Sequence, residues 1–150
     1  MSGLAELSNR FYDSIRRSDA ATAAEGDAEA KGFGHLEGHK YCLVVTYKRS
    51  GEPVPTPVWF GVDSDGHLYF RTYATSVKLR RIERDAHVRI APCTMRGKPL
   101  GPSADGAARV LGAHDDHAEA TIQSNYGAFR RAYERAGSSV DVRYVEVVPA

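Results

Sequence analysis

Between Arg71 and Arg84 the sequence gathers groups that bind an anion. The strand-like run HLYFRT (67–72) ends in Arg71 and Thr72. A helix-like run then opens with Ser76, Val77 and Lys78, with Arg80, Arg81 and Arg84 behind them. The first amides of a helix lack intrahelical acceptors and carry partial positive charge, so a helix start attracts phosphate. Arg71 can add a bidentate fork, Thr72 and Ser76 hydroxyl donors, and Lys78 a point charge. The set suits a phosphate monoester. The same residues also fit a plainly capped, solvated helix, because Ser is an ordinary N-cap.

A second cluster lies upstream, in PTPVWF (55–60). Pro55 and Pro57 cannot donate ladder bonds, so this stretch belongs at a sheet edge or strand start, with backbone groups left to meet a ligand. Trp59 beside them is either a platform for a flat heterocycle or a packed core residue. Elsewhere chemistry is sparse. Cys42 and Cys93 sit in strand-like runs and read as core; they match no zinc spacing and form no disulfide framework. The run His114-Asp115-Asp116-His117 is the densest group of metal-type ligands, but it reads as a capping segment with acids near a helix start, and no metal is expected. Tyr69, Tyr73 and Tyr126 are possible proton donors near a substrate, although core or surface roles suit them better. No nucleophile stands with a base, so no catalytic side chain is assigned.

The elements that must position these groups follow from periodicity. KYCLVVTY (40–47), VPTPVWFGV (54–62) and HLYFRT (67–72), separated by turns at 50–53 and 63–66, predict a meander of antiparallel strands. Residues 75–85 predict a short helix, 87–94 and 104–111 two strands, 117–136 an amphipathic helix carrying Ile122, Tyr126, Phe129 and Tyr133, and 140–148 a final strand. Residues 1–34 stand apart. Leu4, Leu7, Phe11 and Ile15 mark one helical face, and Ser18–Ala30 reads as a mobile linker or weak helix. The division is therefore an N-terminal helical extension and linker (1–34) and a main domain (35–150). Six short strands with two interspersed helices predict an α+β, mainly β domain built as a small barrel.

Composition sets outer limits. The 150 residues hold 20 Lys and Arg against 19 Asp and Glu, a net charge of +1, with 42% hydrophobic and 26% charged residues. Such balance argues against a general nucleic-acid coat. No apolar run approaches the roughly 20 residues of a membrane span, and no basic head precedes an apolar leader. A cytoplasmic protein with reduced thiols is expected. Arg outnumbers Lys 15 to 5, which a GC-rich genome explains without any function.

Taken as an ordered set, PTPVWF, YFRT, SVKLRRI and RIAPC resemble the split-barrel flavin and deazaflavin oxidoreductases, relatives of pyridoxamine 5'-phosphate oxidase. The similarity is to the actinobacterial branch that uses coenzyme F420, and it runs from about His39 to Leu111. It implies a six-stranded split β-barrel, a homodimer with two cofactor sites along its interface, and hydride transfer between F420 and a small unsaturated organic substrate. By the same resemblance, the Pro57-Val58-Trp59 backbone lies along the ring, and Arg71, Thr72, Ser76 and Lys78 hold the phosphate with the Val77 amide. The loop 97–103 reaches the partner's site, and Lys48, Arg49, Arg80 or Arg81 track an anionic tail. FMN is the alternative cofactor. A carrier that binds F420, flavin or haem without turnover, and an interaction module using residues 1–34, are the rival functions.

Overall fold

The computed structural model describes residues 20–127 and 140–150. Seven strands form one antiparallel sheet: β1 (Tyr41–Tyr47), β2 (Pro53–Val58), β3 (Gly61–Val62), β4 (Leu68–Tyr73), β5 (His87–Cys93), β6 (Ala104–Val110) and β7 (Val142–Pro149). Two helices, α1 (Val77–Arg84) and α2 (Asp116–Gln123), and two short 3-10 turns, Ala20–Ala24 and Gly34–Leu36, complete the described chain.

The strand order β2-β1-β5-β6-β7-β4-β3 puts β2 and β3 at opposite edges, yet only Trp59 and Phe60 separate them. So short a link spans roughly 10 Å. The sheet must therefore curl until its two edges nearly meet. β2 and β3 are two halves of one bent strand, the first paired with β1 and the second with β4, so the seven segments make a six-stranded split barrel.

Alternation sorts the side chains. Cys42, Val44, Phe70, Val88, Ile90, Val145 and Val147 fill the interior, joined by Leu79 and Ile82 of α1 and by Phe33 and Leu36. α1 lies over one mouth, where the Arg81 guanidinium donates to Thr46 Oγ1 at 3.3 Å and that of Arg84 to the Tyr47 carbonyl. β1 is buried on both faces, which is why it reads as an unbroken apolar run.

Three expectations are refined. Of the two readings of residues 18–30, linker or weak helix, the described residues 20–30 fit the second in part, with a 3-10 turn at Ala20–Ala24 packed on the sheet. Ala20 and Ala23 are buried against Leu43, Val45, Ala91 and Cys93, Arg89 donates to the Gly26 carbonyl at 2.8 Å, and the Ala30 amide donates to Ser103. Small Ala side chains let the turn approach the sheet closely, but they carry no periodic signal. The expected strand 54–62 is broken at Trp59–Phe60 by the crossing between edges. The second helix ends at Gln123 rather than running on, and Gly127 at φ +71° turns the chain. The expected helical face at Leu4–Ile15 and the helix positions Phe129 and Tyr133 lie outside the described residues.

Candidate functional site

The anion corner forms where β4 gives way to α1. The Ser76 amide donates to the Tyr73 carbonyl at 2.9 Å, folding the chain sharply, and Ser76 Oγ then accepts the Lys78 amide at 3.3 Å as an N-cap. The first helical residue is Val77, exposed, whose amide by position has no intrahelical acceptor. Lys78 is only 7% exposed, and its Nζ stands 5.7 Å from the Phe70 ring centroid. Phe70 points inward, so Thr72, two residues on, shares its face. Ser76, Val77 and Lys78 thus open α1 just past the end of β4, on which Thr72 shares the face of Phe70.

Arg71 does not join them on that face. It lies opposite Tyr144 on the outside of the sheet, with Nη1 4.0 Å from Glu119 Oε2 of α2. Glu119 also accepts the Tyr144 hydroxyl at 2.5 Å, and burial together with this bond pushes the Tyr144 phenol upward. The residue that does share Thr72's face is Arg143, its cross-strand partner on β7, held by Asp141 at 2.6 Å. Strand alternation alone cannot reveal a cross-strand neighbour seventy residues away, so Arg143 escaped the sequence reading.

The third component is the barrel seam. At the edge crossing, the Phe60 amide donates to Tyr126 Oη at 2.8 Å, and the Asn125 amide donates to the Phe60 and His39 carbonyls, both at 3.0 Å. Tyr126 Oη in turn donates to the Lys40 carbonyl at 2.8 Å, and its ring stacks on Trp59 at 5.3 Å. These side chains replace the strand partner that the crossing lacks. Pro57 and Val58 precede the seam, opposite Leu43 and Cys42 of β1, and Val58 packs on the interior. The Cys42 thiol, fully buried, is pushed up by desolvation, with Cys93 adding and the Lys78 charge opposing.

On the outer face a polar cluster ties α2 to the sheet. Asp115 caps α2 by accepting the Ala118 amide at 2.9 Å, and His117 Nε2 meets Asp63 Oδ2 at 2.9 Å. Burial alone would raise Asp63, but the bonds from His117 and from the His67 and Asp65 amides outweigh it and hold the carboxyl low; the same bond to Asp63 raises His117. The H-D-D-H run is thereby a capping and docking segment. Tyr69 donates to Glu146 at 2.7 Å and is held protonated by burial and that bond. Tyr73 is 61% exposed.

Compared with known families, residues 27–148 match the model described as pyridoxamine 5'-phosphate oxidase. The chain belongs to the pyridoxamine 5'-phosphate oxidase family. Among solved structures, it is similar to a protein of unknown function from Agrobacterium tumefaciens (21% identity, TM-score 0.58), matching over 76% of this chain and half the length of that one. It is similar to HutZ, the haem storage protein of Vibrio cholerae (14% identity, TM-score 0.57, 77% and 84% of the two chains). A third is an F420 reductase (18%, TM-score 0.55, 79% and 93%). At such identities these neighbours establish the fold alone. No curated protein matches the chain. Among the described residues of this family member, no helix is long and apolar enough to cross a membrane.

Proposed function

We propose that the chain is an F420-dependent reductase, a homodimer that transfers hydride between the deazaflavin and a small unsaturated organic substrate. Family membership supports a flavin-type cofactor and oxidoreductase chemistry. The observation that carries the reading is the corner at the start of α1, where the buried Lys78 follows the Ser76 cap and lies over Phe70, two residues before Thr72 on the same strand face. A corner of hydroxyls, a helix start and an ammonium fits a phosphate on a flexible arm. Pro57, Val58 and Trp59, at the edge of the sheet, fit a flat ring laid along backbone.

The cofactor, when bound, supplies the hydride; the chain supplies placement. Thr72, Ser76, the Val77 amide and Lys78 hold the phosphate. Arg71 reaches it from the outer face only by releasing Glu119. The seam of Asn125 and Tyr126 holds the backbone at Phe60, next to the Pro57–Trp59 stretch. Exposed Met95 and Leu100 on the loop between β5 and β6 support its contact with a partner subunit. Arg80, exposed beside the corner, is the better candidate for an anionic tail, since Arg81 is engaged with Thr46 and Lys48 with Glu52.

Fluorescence titration of the purified protein with F420 and, separately, FMN tests the reading. Tight F420 binding with weak FMN binding, followed by oxidation of reduced F420 only when an acceptor is added, is the expected result. FMN preference moves the protein to the flavin oxidases of its family. F420 binding without turnover over a broad acceptor screen makes it a carrier.

A further inference from the structure

The chain enters β1 from the turn Gly34–Leu36, at the opposite end of that strand from Tyr47, where α1 sits. Between this turn, β3 and the end of α2 lies a cavity of about 440 Å³. That volume takes a small organic molecule. Among the described residues that line it, none belongs to Pro57–Trp59 or to the start of α1, so it is separate from the proposed cofactor site.

Phe33, Leu36 and Phe60 close its floor, each at most 2% exposed, with Val62 beside them. Four polar side chains complete the lining: Glu37, Asp63, Ser124 and Asn125. Their hydrogens are all committed elsewhere. Ser124 donates its one hydroxyl hydrogen to the Thr121 carbonyl at 2.6 Å. Asn125 donates from its side-chain nitrogen to the His39 and Phe60 carbonyls, both at 3.0 Å, which leaves Oδ1 as its open group. Asp63 accepts the Asp65 and His67 amides at Oδ1 and meets His117 at Oδ2, three of the roughly four positions a carboxylate offers. The Glu37 carboxylate, exposed at the rim, has no partner among the described residues.

The side chains thus present acceptors alone, two of them carboxylates, and no Lys or Arg is among the described lining residues. On a chain whose net charge is only +1, this is a local concentration of negative charge. Such a lining repels an anion and strands the acceptors of a neutral ligand, but it suits a cation that carries N–H donors.

We propose that this second mouth of the barrel is a binding site for a small organic ammonium ion. Its N–H groups meet Glu37, Asp63 and the Asn125 Oδ1, and its apolar part lies over the Phe33–Phe60 floor.

The test is isothermal titration calorimetry of the full chain with phenethylamine at neutral pH, with no cofactor added. Saturable binding of one molecule per chain is expected. 2-Phenylethanol, which lacks the charge, and N,N,N-trimethylphenethylammonium, which keeps the charge but has no N–H, are each expected to bind at least about tenfold more weakly. Glu37→Gln keeps the shape of an exposed side chain and is expected to weaken phenethylamine binding about threefold or more. Glu83→Gln, on α1 at the other mouth, is expected to leave it unchanged. Absence of saturable binding, equal binding of the trimethylated analogue, or equal effects of the two Gln variants overturns the inference. None of these outcomes bears on the cofactor reading, which its own titration with F420 and FMN decides.

Discussion

Tyr126→Phe isolates the seam. The change removes one oxygen and keeps the ring that stacks on Trp59. That oxygen accepts from the Phe60 amide and donates to the Lys40 carbonyl, each at 2.8 Å. Phe60 is 2% exposed, so its amide loses its partner in a place water reaches poorly. Stranding a buried donor costs about 1–3 kcal/mol. Taking about 2 kcal/mol, a domain of this size should lose roughly 4–8 °C in Tm. Urea unfolding should show a lower midpoint at unchanged slope, since the surface exposed on unfolding stays the same. Asn125→Ala, which strands two carbonyls, should act in the same direction, and the double variant should cost less than the sum because both hold one crossing. An unchanged urea midpoint in Tyr126→Phe would refute the claim that these side chains close the barrel.

Lys78→Met keeps the buried stem and removes the charge, and should weaken binding of F420 or FMN by about 1–3 kcal/mol in a fluorescence titration. Arg71→Ala should weaken it less, because Arg71 is held by Glu119 on the other face; a larger loss at Arg71 would relocate the phosphate. Gly61→Ala should lower the unfolding free energy from urea titration by about 1–3 kcal/mol, as its Cβ would stand 2.1 Å from the Thr121 carbonyl oxygen, a backbone atom that cannot rotate away. The His117–Asp63 pair should stabilise the fold most between the ordinary carboxyl value of 3.8 and the ordinary imidazole value of 6.5. Its contribution fades as pH rises through the raised His117 pKa, or falls through the lowered Asp63 pKa. The Tm difference between the native protein and His117→Ala, followed across pH, should peak in that window; a flat difference would remove the pair from the account.

Much of the barrel was legible because its strands alternate strongly and its turns carry Gly and Asp. The start of α1 was legible too, since Ser76 caps it as its side-chain chemistry directs. Arg71 and Thr72 are more instructive. They are neighbours in sequence and were grouped for that reason, yet neighbours on a strand face opposite sides. Leu68 and Phe70 in the same run already mark the inward parity, which assigns Thr72 inward and Arg71 outward. What periodicity could not supply was long-range. It has no means of seeing that Trp59–Phe60 crosses from one sheet edge to the other, that an alanine turn covers β1, or that Asn125 and Tyr126 satisfy a backbone sixty-five residues away.

The place of β7 in the sheet bears on how the protein is made. It lies between β6 and β4, so the strands that precede it form two separate sheets, β2-β1-β5-β6 and β4-β3. During synthesis the hairpins can assemble early, but until Val142–Pro149 has left the ribosome the two sheets are linked only through the Trp59–Phe60 crossing and its seam, with no strand ladder between β6 and β4. Until then the inner faces of Leu68 and Phe70 have no Val145 or Val147 to cover them. The nascent chain carries that apolar surface from the emergence of β4 until that of β7, and the strand ladder closes only with β7.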